Sequence, residues 1–274
     1  MAYIKSIEQA ELYSKFRPKP PEELIEQILL FLKEGEECPL HQALDVGCGS
    51  GQSTEVLSSY FTKVIGIDNS REQIEQAQLK KKSENVIYRV GSAEQLGEGD
   101  GSVDLVTVGM AVHWFQLDEF WAEVGRVLRP GGVLAIYGYN LPRPSVGEMS
   151  LADIVQDMIQ DTLGKYVPEG SKLAYFEGYR GFQFSKVPFS SQPPLRLEFP
   201  STIRNASVEE LIGYISTMSG YQNYVMENGK EKALVLLSDF KHRIAERLGK
   251  QTDLDKVDLS ITFPYFLLLN RKDI

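Results

Sequence analysis

The chain has 274 residues, 42% of them hydrophobic, and a formal charge of -9 at neutral pH. That apolar share suffices for a real core in one large domain, or one domain with a cap, while the acidic balance argues against a sequence-independent grip on nucleic-acid phosphates. Two cysteines, Cys38 and Cys48, cannot build a disulfide framework and read as free thiols.

Residues Met1 to Lys15 carry Lys5, Glu8 and Glu11 and do not read as a secretory signal, and no stretch reaches the roughly 18 apolar residues of a membrane span. The expectation is a cytoplasmic protein with no membrane partner, read as a monomer. Residues 1–34 read as a helical entry: Tyr13 and Phe16 precede Arg17-Pro18-Lys19-Pro20-Pro21, and the prolines separate one helix from the next. That second helix carries Leu24, Ile25, Ile28, Leu29 and Leu32 at helical spacing.

Strand one is Gln42 to Val46, followed by a helix from Ser53 to Tyr60. Strand two runs from Lys63 to Ile67 and ends at Asp68, with a helix over Arg71 to Lys82 behind it. The basic run Lys80-Lys81-Lys82 suits a solvated helix end, where cations complement the macrodipole. Strands three and four are Asn85 to Val90 and Val103 to Val108. Phe120, Val124 and Val127 mark a helix that stops at Arg129-Pro130-Gly131-Gly132, and strand five is Val133 to Tyr137.

Strict alternation of β and α to about residue 140 predicts a doubly wound, mostly parallel α/β sheet with helices on both faces. After Tyr139 the pattern breaks at Leu141-Pro142-Arg143-Pro144, and about fifty residues pass before a strand at Leu195 to Phe199. A structureless connection of that length is uncommon, so the segment is expected to fold as a cap, with a helix through Ile154, Met158 and Leu163. Helices near Ser207 to Ser216 and Gly229 to Leu248 then lead to a last strand, Ser260 to Leu269. The organisation predicted is a lid over 1–34, a core over 35–140, a cap insertion over 141–194 and the rest of the sheet with further cap helices over 195–274.

The chemistry concentrates at Asp45-Val46-Gly47-Cys48-Gly49-Ser50-Gly51-Gln52, where strand one turns into a helix through alternating glycines. Such turns hold ligands, because a backbone without Cβ can be approached closely and the following helix offers unpaired N–H groups. The dinucleotide fingerprint would require glycine at Gln52, and no Tyr-x-x-x-Lys pair is recognisable, which weighs against an NAD-dependent oxidoreductase. Asp68 follows Gly47 by 21 positions and is placed to accept hydrogen bonds from both ribose hydroxyls of an adenosine ligand, with Asn69 beside it. Ser92-Ala93-Glu94 falls where a loop would flank the adenine. Strand four runs into Gly109-Met110-Ala111-Val112-His113-Trp114-Phe115, which places an aromatic ring and an imidazole near a bound cation. His113 reads either as a general base or as a packing residue.

The Asp-x-Gly-x-Gly-x-Gly turn with Asp45 at the strand end resembles motif I of the class I S-adenosylmethionine (SAM) methyltransferases, a Rossmann-like fold with a seven-stranded sheet and here a cap between its fifth and sixth strands. Together with Tyr13, Arg17-Pro18, Asp68, Ser92-Ala93-Glu94, Ala111-Val112-His113-Trp114-Phe115, Arg129-Pro130-Gly131-Gly132 and Gly178-Tyr179-Arg180-Gly181, it is similar to the trans-aconitate methyltransferase-like group. The Asn/Asp-Pro-Pro-Tyr/Phe sequence of many DNA and protein amino-group methyltransferases is missing.

The resemblance implies SAM as cofactor, with S-adenosylhomocysteine as product and no metal. SAM contacts would come from Tyr13 and Arg17 closing over its methionine end, and from Asp45, Gly47, Cys48, Gly49, Gly51, Asp68, Asn69, Ser92, Ala93, Glu94, Gly109, Met110 and Ala111. It also implies a small-molecule acceptor, with a carboxylate oxygen preferred, giving a methyl ester. A carboxylate is ionised at neutral pH and needs a cation rather than a base; Arg180 and Arg204 are the candidates. His113 and Trp114 are the catalytic candidates, and Trp114, Tyr179, Arg180, Tyr214 and Tyr221 the substrate-facing ones. Two alternatives stand beside this reading: methylation of a phenol or amine with His113 as base, and SAM binding without catalysis.

Overall fold

The computed structural model describes residues 6–34, 40–181, 184, 186–249 and 253–274, so the expectation for the Cys38 thiol lies outside the described residues. Three strands buried on both faces, β1 (Gln42–Val46), β2 (Lys63–Asp68) and β4 (Val103–Gly109), form the parallel heart of the sheet, with β3 (Val86–Val90) as its half-exposed edge. With β5 (Leu128–Tyr139) they lie in the order β3-β2-β1-β4-β5, so strand order reverses between β1 and β4. Ligands in such sheets bind beyond the carboxyl ends of the strands at that reversal.

The expected seven strands are present, and a small hairpin raises the described total to nine. Its strands, β6 (Arg143–Val146) and β7 (Met149–Ser150), occupy the Pro-rich break after β5. The predicted sixth strand is β8, longer than expected at Leu195–Ala206, and the last is β9 (Leu259–Arg271). β9 runs antiparallel to its neighbours, pairing its second half with β5, residues 260–262 with β6, and its length with β8. β8 is a largely exposed edge carrying Arg196, Glu198 and Arg204, charges that discourage edge-to-edge pairing. The Arg129-Pro130-Gly131-Gly132 segment is looped out of the β4–β5 pairing, where the partners jump from Val103 and Leu128 to Leu105 and Val133.

Helix α2 (Glu22–Lys33) buries all five predicted apolar positions, and α5 (Leu117–Val127) buries Phe120, Trp121, Val124 and Val127. Helices α3 (Gln52–Leu57) and α4 (Arg71–Lys80) follow β1 and β2, as the alternation requires. The cap contains α6 (Ala152–Gln156), which widens into a π turn over Asp157–Thr162, and α7 (Glu169–Tyr175), a helix the sequence pattern did not mark. After β8 come α8 (Val208–Ser216), α9 (Ser219–Asn228) and α10 (Lys230–Leu248). The sequence also missed α9, because its amphipathic pattern is weak.

The entry helix α1 (Ile7–Phe16) lies across α4 and α8. Gln9 Nε2 donates to Gln222 at 2.9 Å, Lys80 Nζ to Ser14 Oγ at 2.6 Å, and Gln52 Nε2 to the Ser14 carbonyl at 2.8 Å. One short helix is thereby tied both to the helices that follow β1 and β2 and to the helix α9 beyond β8.

Candidate functional site

A cleft enclosing about 770 Å³, its open mouth included, lies at the strand-order reversal. Gly47 and Gly49 form its floor, Asp68 and Asn69 one wall, Ala93 and Glu94 the next, and Gly109, Met110 and Ala111 the opposite side, with Tyr13 and Trp114 at its rim. A second recess continues it past Gly47, Cys48 and Gly49 toward Arg17, Ser50, Gln52 and Tyr139. Most of the predicted cofactor residues are therefore gathered around one space.

The turn is built on two carboxylates with different duties. Asp68 Oδ2 accepts from the Gly49 N–H at 2.9 Å and Oδ1 from the Ser70 N–H at 2.8 Å, while its carboxylate also borders the cleft. Burial pushes its pKa up, opposed by those backbone donors. Asp45 is fully buried and does not line the cleft. Its oxygens accept the hydroxyls of Ser53 at 2.7 Å, Thr54 at 2.6 Å and Thr107 at 2.9 Å, clamping the start of α3 to β1 and β4. The expected direct cofactor contact from Asp45 is corrected to support of the turn.

The glycines divide in the same way. Gly47 has φ +70, and a Cβ there would come within 2.5 Å of the Ala111 Cβ, so its bareness lets the loop after β4 close over the turn. Gly51 has φ +81, and a Cβ there would strike the Tyr88 side chain. Gly51 borders neither part of the cleft. Tyr88 packing, with its hydroxyl donating to the Gly51 carbonyl at 3.3 Å, accounts for this glycine. Ser92 also stands outside the lining: its hydroxyl bonds the Glu94 carboxylate and accepts the Glu94 N–H at 3.2 Å, holding the loop that Glu94 presents.

Arg17 is buried, and among the described residues no carboxylate pairs with it. Nε donates to Thr217 Oγ1 at 2.9 Å, Nη2 to the Thr217 carbonyl at 3.1 Å, and Nη1 to the hydroxyls of Tyr139 and Tyr175 at 3.2 and 3.0 Å. The guanidinium also lies 5.0 Å from the Tyr13 ring centroid and 4.9 Å from that of Tyr214. A buried cation held only by neutral groups favours an anionic ligand. Each phenol that accepts from Arg17 keeps its own proton to donate, so the cation can act on such a ligand through Tyr139 as well as directly.

His113 departs most from expectation. It sits in the turn after β4 but is not among the lining residues; Nδ1 is hydrogen-bonded to the Tyr179 hydroxyl, and its ring packs 4.9 Å from Trp114. Burial, helped by the charge of Arg17, holds its pKa down to about 3. Trp114, 44% exposed, borders the cleft.

Tyr179 is buried against Phe184 and Phe266 with φ +52 and does not open onto the cleft, and Arg180 is an exposed partner of Glu198 on the sheet edge. Tyr221 is buried on α9 and Arg204 exposed on β8, both away from the cleft. Of the substrate-facing candidates, Trp114 borders the cleft, and Tyr214 stands behind Arg17.

Several lining residues escaped the sequence reading, among them Gln73, Ser50, Phe115 and Tyr139. Gln73 Oε1 and Ser50 Oγ are buried with no hydrogen-bond partner. Orphaned polar atoms at the wall of a cleft fit a polar ligand such as the amino acid and nucleoside parts of SAM. Gln73 carried one usable signal, since a glutamine on the buried face of α4 is out of place in a core. Tyr139, at the carboxyl end of β5, lies where sheets of this type place ligands.

Residues 44–136 match the methyltransferase domain model. A Dictyostelium discoideum protein named as a methyltransferase is 32% identical over 262 residues, 95% of this chain and 92% of its own length. A solved structure described as a type II methyltransferase from Anaeromyxobacter dehalogenans superposes with a TM-score of 0.70 at 30% identity, covering 93% of this chain and 98% of that one. The Haemonchus contortus phosphoethanolamine N-methyltransferase 2, solved with SAM, shares the fold at a TM-score of 0.50 and 16% identity, covering 98% of this chain and 57% of that one. With its glycine turn, its acidic strand end and its sheet order, the chain belongs to the SAM-dependent methyltransferases of class I fold.

Proposed function

We propose that the protein transfers a methyl group from SAM to a carboxylate oxygen of a small organic molecule, giving a methyl ester. When bound, SAM supplies an electrophilic methyl group on a sulfonium. Asp68 is read as holding the ribose hydroxyls and Asn69, Ala93 and Glu94 as flanking the adenine. Gly47, Gly49, Cys48, Gly109, Met110 and Ala111 would supply close backbone and side-chain contacts, with Ser50 and Gln73 offering their unpartnered oxygens. Tyr13, Arg17 and Tyr139 are assigned to the methionine end. Trp114 presents a ring face that attracts a cation by about 0.5–2 kcal/mol.

The observation that carries the choice of acceptor is the lack, among the described lining residues, of a group suited to removing a proton. Asp68 and Glu94 stand at the adenosine end, and the Cys48 thiol is pushed far up by burial. His113 is outside the lining and only weakly basic. An acceptor that arrives ionised needs no base, so orientation beside the methyl group and exclusion of water suffice. Arg180, paired with Glu198, is withdrawn as the cation that would hold this acceptor.

The pH profile tests the proposal. With a carboxylate acceptor, kcat/KM should stay level from about pH 6 to 9, because the nucleophile is ionised throughout. A rate climbing about tenfold per pH unit across that range would mean a nucleophile or base titrating, and would overturn the carboxylate assignment.

A further inference from the structure

The loop after β4 that forms one side of the cleft is covered from behind by the cap. In the turn Val112–Trp114, the Trp114 N–H donates to the Ala111 carbonyl at 3.0 Å, and Ala111, Trp114 and Phe115 line the cleft. His113 stands between them outside the lining and meets two parts of the cap. A Cβ on Gly170, in α7, would come within 2.7 Å of the His113 carbonyl oxygen, so that helix rests directly on the turn. Beyond α7, the Tyr179 hydroxyl is hydrogen-bonded to His113 Nδ1.

Backbone strain marks both sides of this contact. Among the described residues, three other than glycine have positive φ: Met110 at +53, Tyr179 at +52 and Asn205 at +56. Asparagine tolerates that region, whereas methionine or tyrosine there is uncommon and must be held by its surroundings. Met110 joins β4 to the turn, and Tyr179 closes on the turn from the cap. Packing against Phe184 and Phe266 accounts for an aromatic ring at position 179, which phenylalanine would also supply, but not for the hydroxyl. That hydroxyl is directed to His113, whose ring centroid lies 5.8 Å from that of Tyr179 and 4.9 Å from that of Trp114.

We infer that Tyr179 is a positioning residue: through its hydrogen bond to His113 it fixes the Trp114 ring at the cleft, in the orientation that meets the sulfonium of SAM. The inference rests on the reading of Trp114 as the ring that faces this cation, and adds how a half-exposed tryptophan is kept there. It makes the cap a part of cofactor discrimination. SAM carries the positive charge and S-adenosylhomocysteine lacks it, so a well-placed ring favours SAM over the product by about 2- to 30-fold and a loose ring by less.

The test is calorimetry with SAM and with S-adenosylhomocysteine on the parent, Tyr179→Phe, Trp114→Leu and the double variant. Tyr179→Phe removes one oxygen and keeps the buried ring. It should lose at least about half of the preference for SAM that Trp114→Leu loses, with S-adenosylhomocysteine affinity within about twofold of the parent. In the Trp114→Leu chain the same change should move the preference no further, because the ring it acts through is gone. A second readout uses Trp121→Phe as background, which leaves Trp114 as the one tryptophan. Time-resolved fluorescence anisotropy should then show a nanosecond component in Tyr179→Phe that the background chain lacks. His113→Asn, which removes the ring between the two, should show the same loosening and stands in if Tyr179→Phe fails to fold. Equal weakening of SAM and S-adenosylhomocysteine in Tyr179→Phe, or anisotropy unchanged in both variants, would overturn the inference. A Trp114→Leu chain that keeps the full preference for SAM would overturn the reading of Trp114 on which it rests, while the anisotropy decides separately whether Tyr179 holds the ring.

Discussion

Replacing Asp68 by alanine separates the turn's two carboxylates. The substitution strips the acceptor from the N–H groups of Gly49 and Ser70, bonds of 2.9 and 2.8 Å, and Ser70 is buried. Each lost bond costs about 1–3 kcal/mol, so global stability should fall by about 2–6 kcal/mol. SAM should suffer a further loss, because two ribose hydroxyls forfeit charge-assisted partners worth about 1.5–3 kcal/mol each. The dissociation constant should therefore rise by about 10² to 10⁴. Asp45→Asn is the matched control. It disturbs three hydroxyl bonds at the same turn without removing anything that borders the cleft, so it should lower stability yet move SAM affinity by less than about tenfold. Calorimetry with SAM and urea denaturation on all three proteins give both quantities. Equal loss of affinity in the two variants would refute the division of labour, and unchanged affinity in Asp68→Ala would remove the ribose assignment.

Three further outcomes are expected. Arg17→Met should keep α1 packed but weaken SAM binding at least about 100-fold, because a thioether cannot attract a carboxylate; unaltered affinity in calorimetry would contradict the assignment. Gly51→Ala should destabilise the fold through the Tyr88 overlap and the positive φ, and Tyr88→Leu in the same chain should restore part of the loss in thermal melts, whereas no rescue would place the cause elsewhere. His113 is held near pKa 3 in the folded chain against about 6.5 unfolded, so it contributes stability that is fully present above about pH 6.5 and declines as pH falls toward 3, by at most about 1.4 kcal/mol per pH unit. The difference in stability between the parent and His113→Asn should accordingly shrink over that interval, and a constant difference would show that the imidazole is not buried in its neutral form.

The parallel half of the fold was legible because its signals are local. Continuous apolar runs, an alternating helix pattern and a glycine turn each report on neighbouring residues, and β1 and the five apolar positions of α2 came out as read. The wall of the cleft was legible for the same reason, since the doubly wound order brings the carboxyl end of each parallel strand to one edge. The cap side was not. Whether Tyr179 faces a ligand or a core depends on packing against Phe184 and Phe266, and Arg180 was drawn outward by Glu198, a partner 18 residues away on the sheet edge. His113 looked like a base by residue type alone, and its burial under the cap changed its chemistry. The Arg17 cluster joins α1, β5, α7 and the turn after α8, a meeting of four distant segments that no spacing along the chain announces.

The most direct measurement supplies the purified protein with methyl-labelled SAM and a small-molecule extract of its source cells, then treats the labelled products with mild alkali. Release of the label as methanol is the predicted result and identifies a methyl ester on a carboxylate acceptor. Label that survives alkali would place the methyl group on a phenol, amine or thiol and contradict the account.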